Sequence, residues 1–329
     1  MNPRAAHPLQ RCVVSVFSGL VLVGLLAASG CSAPVAPTAT VSPSSSSLDG
    51  YVDSALAVMD ERGLYRDSDQ WRDELARARD RAGDIDSPSA AYALLREAVR
   101  KAGGVHSFFL TPGESAPAPA SEEPIAVPNV ETQDGISVLH LPALAAPNGS
   151  DDAESYLRAG RTAITANAAA TTCGWVLDLS DNSGGNGLTM LDVIGPLLDT
   201  DQAIGLRYPD GREEWLSPQG DDAPHGLGPV AIVTSGVTRS AAEMVLAAFD
   251  RQADTVRVGQ PSAGMTTSNQ VFPLEDGAEI VLTTAWFMNR NGEKLDGPME
   301  PGVGVPRGEG TQAAKLAAQG WVRSTCLGK

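Results

Sequence analysis

Thr234-Ser-Gly-Val-Thr-Arg-Ser-Ala-Ala-Glu-Met-Val-Leu-Ala-Ala-Phe249 is the stretch on which the reading of this chain turns. The run before it, Pro229-Val-Ala-Ile-Val233, has the β-branched, apolar composition of a buried strand. From Ala241 to Phe249 the composition favours helix, with Met244, Val245 and Ala248 at helical spacing. Ser240 therefore stands where a strand turns into a helix, beside unpaired backbone N–H groups and the positive end of a helix dipole. Two roles suit a serine there. It can cap the helix, the commoner role, or act as a nucleophile whose oxyanion is held by those donors.

Working outward, strands and helices alternate on both sides. Ile136–Leu141, Cys173–Leu179, Ile204–Tyr208, Pro229–Val233, Thr255–Val258, Val271–Pro273 and Glu279–Ala285 read as strands. Asp151–Ala170, Met190–Leu198 and Thr311–Gln319 read as helices, with Trp321–Cys326 as a tail. This alternation predicts an α/β layer fold with crossover connections over residues 105–329. Residues 48–104 read instead as a small helical subdomain of three segments, ending near Gly63, Ala82 and Gly103-Gly104. Residues 111–134 are Pro-, Glu- and Ala-rich and read as a loop, too short to hold an inserted binding module.

The N-terminus reads as an export signal over residues 1–30. Arg4 and Arg11 precede an apolar run from Cys12 to Ala27, short for a membrane span. Ala28-Ser-Gly-Cys31 resembles a bacterial lipoprotein cleavage box, which would leave a lipidated Cys31; an ordinary secretory signal is the other reading. Residues 31–47 form a Ser/Pro-rich tether suited to hold a domain off a membrane. The expected location is thus the extracytoplasmic face of the cell membrane, or the exterior if no lipid is added. The net charge of −16 falls to about −18 once Arg4 and Arg11 are removed. That surface, without a basic stripe, disfavours nucleic acid. Cys173 and Cys326 remain as an even pair, read as a disulfide against two buried thiols. No Cys/His spacing suggests a metal.

Three further polar stretches stand out: Gly103-Gly-Val-His106-Ser-Phe-Phe109, the turn Asp181-Asn-Ser-Gly-Gly-Asn186, and Ser240 itself. On its own, His106 reads as a core histidine, His140 as a strand residue and His225 as solvated. The segments GWVLDLSDNSGGN (174–186), MLDVIGPLL (190–198), PVAIVTSGVTRSAAE (229–243), VGQPSAGMTTSNQVFPLEDG (258–277) and GPMEPGVGV (297–305), in this order, resemble the C-terminal-processing, or tail-specific, serine peptidases. The likeness covers most of residues 48–305, and is to the tricorn-core-like branch without a PDZ domain. It implies a crotonase-like ββα core, the fold type shared with ClpP, and a peptide or protein substrate without a cofactor.

Carried over, Ser240 falls on the nucleophile. In lysine-type members the base follows 25 residues later in a Gly-Lys pair. Here Gly264-Met265 stands there, and a thioether cannot take a proton. The resemblance then assigns the base to His106, a residue type suited to proton transfer near neutrality. Gly184 or Gly185, with Ala241, would form the oxyanion hole, and Glu300 in PMEPG would orient His106. Glu243 is expected to hold the elbow, and Asp178 and Asp181 to fix the strand end and turn. The rival expectation is a peptidase-like lipoprotein that binds a ligand or peptide without cleaving it, since folds host varied functions.

Overall fold

The alternating apolar runs fold into two sheets with helices between and outside them. The computed structural model describes residues 48–115, 124–202, 204–219 and 226–328. The expected signal, the tether with Cys31, and His225 lie outside these residues. The described residues belong to one compact unit.

Helices α1 (Leu48–Arg62), α2 (Asp69–Ala82) and α3 (Pro88–Gly103) come first, followed by β1 (Phe108–Leu110), the single turn α4 (Pro112–Ser115) and β2 (Asn129–Gln133). Next are β3 (Ile136–His140), α5 (Asp151–Ala168), β4 (Gly174–Asp178), α6 (Gly187–Ile194), β5 (Ile204–Arg207) and β6 (Glu213–Leu216). The chain continues through β7 (Val230–Thr234), α7 (Ala241–Phe249), β8 (Thr255–Gly259), β9 (Thr267–Pro273), β10 (Glu279–Asn289), β11 (Val303–Gly304) and α8 (Gly310–Leu327).

One sheet has the order β11-β8-β7-β4-β3-β2, parallel except for β2. Its central strands β4 and β7 are buried on both faces, which is why they read as unbroken apolar runs. The pleat sends successive residues of β4 to opposite layers. Trp175 and Leu177 join the core under α5, α6 and α7, whereas Val176 joins Ala314, Ala318 and Val322 of α8. The other sheet, β1-β10-β5-β6, is antiparallel, with β9 on the opposite edge of β10.

Strand β10 connects the helical segment to the rest. Ile280 and Leu282 pack into the core of α1–α3, and Ala285 and Phe287 into the core around α7. A register shift between Thr283 and Ala285 makes this possible, because one extra residue flips the inward face of a strand. The helical segment 48–104 thus shares its core with β1 and β10.

Several boundaries differ from expectation. His106, read on its own as a core histidine, lies in the turn before β1. The loop expected over 111–134 contains β2, and β9 and β10 run longer than their apolar cores suggested. The expected tail 321–326 continues α8. Cys326, on its last turn, is joined to Cys173 before β4, with Cα atoms 5.1 Å apart. Among the described residues no helix is long and apolar enough to cross a membrane.

Candidate active site

Ser240 sits at the corner between β7 and α7 with φ 55° and ψ −118°. A non-glycine residue rarely adopts positive φ, and strain of this kind persists only where the surroundings enforce it. Here they do. Thr238 Oγ1 donates to the Leu179 carbonyl, Ser235 Oγ to that of Ser180, and the Arg239 N–H to that of Asn182. These bonds lace the β7–α7 turn to the turn after β4.

Glu243, fully buried one helical turn on, clamps the corner from the other side. Its carboxylate accepts the Ser240 backbone N–H at 3.0 Å, the Gly264 N–H at 2.7 Å and the Ser262 hydroxyl. Burial pushes this carboxyl above its usual range, while those bonds and one from the Met265 backbone pull it back. The segment where lysine-type relatives would place their base is thereby tied to the Ser240 corner, with Met265 in that place.

The glycine pair divides its work. The Gly184 N–H is received by Asn182 Oδ1 at 2.8 Å. Its Cα packs so closely that an added Cβ would meet Ser240 Cβ at 2.9 Å. Residue 144 bridges its neighbours: the Leu144 N–H donates to the Gly184 carbonyl and the Asn186 N–H to the Leu144 carbonyl. In such a parallel bridge the main chain of the central residue, Gly185, faces the other way. Among the described residues, the N–H groups of Gly185 and Ala241 have no hydrogen-bond acceptor. Both residues line a cleft of about 670 Å³ together with Ser240, Met244, Phe287 and Thr267–Gln270.

His106 comes from outside this layer. Its Nδ1 is 2.9 Å from Thr267 Oγ1. The turn is fixed by a polar chain: Asn269 Nδ2 donates to the His106 carbonyl, Thr283 Oγ1 to Asn269 Oδ1, and Ser107 Oγ to Thr283 Oγ1. Ser107 therefore anchors the backbone. Burial, and secondarily the positive charge of Arg239, hold the imidazole below its ordinary value of 6.5. Arg239, whose charge acts on the ring, directly precedes Ser240 in the chain.

Among the described residues Glu300 makes no hydrogen bond to the His106 ring. Its side chain is exposed and its carbonyl accepts Arg257 Nε at 2.9 Å. The group bonded to the His106 ring is Thr267, which sequence reasoning did not single out, although it lies two residues after Met265. Asp178 is buried at the end of β4, accepts the Ser180 N–H and hydroxyl, and pairs with Lys315 of α8 at 2.6 Å. Asp181 pairs with His140 at 3.1 Å. No group of three or more metal-ligating side chains occurs among the described residues.

Fold and site together define an α/β protein with a serine on a strained strand-to-helix corner, facing a cleft. The chain belongs to peptidase family S41, whose sequence profile matches residues 136–305. It is 25% identical over 289 residues to the nisin-resistance protein of Lactococcus lactis subsp. lactis, covering 83% of this chain and 86% of that one. Its fold is similar to that of a lipoprotein from Streptococcus agalactiae, with TM-score 0.73, 24% identity and coverage of 86% and 97%. The photosystem II D1 C-terminal processing protease shares the fold at TM-score 0.61 and 13% identity, over 79% and 93% of the two chains.

Proposed function

We propose that this chain is an exported serine peptidase in which Ser240 is the nucleophile and His106 its general base. The observation that carries the reading is the strained Ser240 corner, which lines a cleft with Gly185 and Ala241, whose N–H groups have no acceptor among the described residues. Ser240 Oγ attacks a peptide carbonyl while His106 Nε2 takes its proton. The oxyanion accepts the N–H groups of Gly185 and Ala241, with the Gly184 amide supporting the turn through Asn182. His106 then protonates the leaving amine, and water activated by the same ring hydrolyses the acyl-enzyme. For Nε2 to be the basic nitrogen, Nδ1 must carry the hydrogen and donate to Thr267 Oγ1. Thr267 thus positions the ring in the place expected for Glu300.

Export and a lipid anchor at Cys31 belong to the same proposal. The lipoprotein named among the structural neighbours and the export-signal pattern of residues 1–30 support them.

The test is labelling by a fluorophosphonate. Wild type should be labelled at Ser240, with Ser240→Ala unlabelled and His106→Ala slowed at least a hundredfold, on the order expected for loss of a general base. One observation favours a second reading, a peptidase-like binder: among the described residues no carboxylate is hydrogen-bonded to the His106 ring. An unlabelled, folded wild type establishes that reading instead.

A further inference from the structure

Among the described residues, strand β9, Thr267-Ser-Asn-Gln-Val-Phe-Pro273, pairs along one side only, with β10. The direction of its outward groups follows from its partner. Thr283, opposite Asn269, spends its N–H on Ser107 Oγ at 2.8 Å, and its carbonyl accepts the Leu64 N–H at 2.9 Å. Both main-chain groups of Thr283 therefore face away from β9. An antiparallel pair whose residues exchange no bonds leaves the partner's groups facing the far side. The Asn269 N–H and C=O point to the open edge, and with the two-residue period so do those of Val271. Pro273 is next in that series and has no N–H to offer, so the donor row stops there.

Open edges in soluble proteins are ordinarily blunted by charge, bulges or brevity. Thr267–Pro273 carries no charged side chain, and Val271 is 55% exposed. The start of this edge, Thr267 to Gln270, lines the same cleft as Ser240, Gly185 and Ala241.

We propose that the open edge of β9 is the main-chain subsite for substrate: an extended peptide adds to it as a strand, hydrogen-bonding Asn269 and Val271, and is thereby led to Ser240. This deepens the peptidase reading and rests on it only for the scissile end. Recognition through backbone groups is tolerant of side-chain sequence, and it demands unmodified N–H groups on every second residue of the ligand.

The test uses fluorescein-labelled Ala-Val-Ala-Val-Ala-Leu and its single N-methyl isomers, measured by fluorescence anisotropy on the Ser240→Ala protein. Methylating alternate amides should weaken binding about tenfold, the worth of one lost main-chain bond, and methylating the intervening ones should change it less than twofold. Uniform tolerance, uniform loss, or no binding of the parent peptide overturns the proposal, including the case in which a second copy of the chain occupies the edge. Because the protein is unchanged through the series, misfolding cannot mimic the pattern. Fluorophosphonate labelling of wild type separates the two readings: periodic binding without labelling keeps the β9 subsite and rejects the peptidase, and labelling without periodicity does the reverse.

Discussion

Thr267 Oγ1 lies 2.9 Å from Nδ1 of His106 and is the hydrogen-bonding partner of that ring among the described residues. A neutral hydroxyl fixes the ring's orientation and tautomer, but supports the imidazolium less than a carboxylate does. Thr267→Val should slow fluorophosphonate labelling of Ser240 about tenfold, the equivalent of one neutral hydrogen bond. Thr267→Ser should restore the rate, and an unchanged rate in the valine variant would remove Thr267 from the mechanism.

The pH dependence follows from burial and from Arg239. A base whose pKa is lowered stays neutral further into acid, so the labelling rate should rise through an acid limb centred below 6.5. Arg239→Ala removes the positive charge and should move that limb to higher pH. The sign for stability is the same: the unfolded chain binds a proton at His106 more readily than the folded one, so this stabilisation is lost as pH falls below the unfolded value. Labelling profiles of the two proteins from pH 4 to 8 check the direction.

Gly184 cannot take a side chain. With φ 102°, an alanine would be strained, and its Cβ would sit 2.9 Å from Ser240 Cβ and 3.0 Å from the Arg239 carbonyl. Gly184→Ala should push Ser240 and the adjoining Gly185 amide out of place and lower the labelling rate about a hundredfold, the size of effect that follows loss of one oxyanion donor. Circular dichroism should show the fold retained. A labelling rate within threefold of wild type would refute this packing.

Glu243→Ala should be the most damaging single change near the site. It takes the acceptor from the half-buried Ser240 and Gly264 amides and from the buried Ser262 hydroxyl. A loss of about 3 kcal/mol is expected in urea titrations, together with loss of labelling.

Removing the disulfide acts mainly on the unfolded chain. The bridge spans 153 residues, and bridges of this kind are worth about 2–5 kcal/mol. Cys173→Ser with Cys326→Ser should lose that amount, and wild type in reductant should match the double variant.

Much of this was legible in the sequence because the central sheet is buried on both faces. Val230–Thr234, Gly174–Asp178 and α7 read correctly from composition alone. The Ser240 corner followed from where they meet. Elements at edges were harder. In β2, Asn-Val-Glu-Thr-Gln133, one side faces solvent and Val130 is the single apolar residue. The bulge in β10 breaks its alternation, which shortened the apparent strand. Thr267 and the engaged Gly184 amide depend on which groups face each other across loops, and no local pattern encodes that. Glu300 was placed by motif alone, and its side chain is exposed on the segment between β10 and β11.

The Cys173–Cys326 bridge has a topological consequence. It closes the chain from β4 to α8 into a covalent ring that contains Ser240, Gly185, Ala241, Thr267 and Glu243. His106 is outside the ring, on the strip of chain that leaves α3 for β1. A cut within the ring leaves its pieces joined. Fraying of α1–α3, by contrast, could withdraw the imidazole while the serine corner stays assembled. On the proposed mechanism, the docking of three N-terminal helices is what arms the nucleophile, so turnover should fail at milder denaturant than the core does.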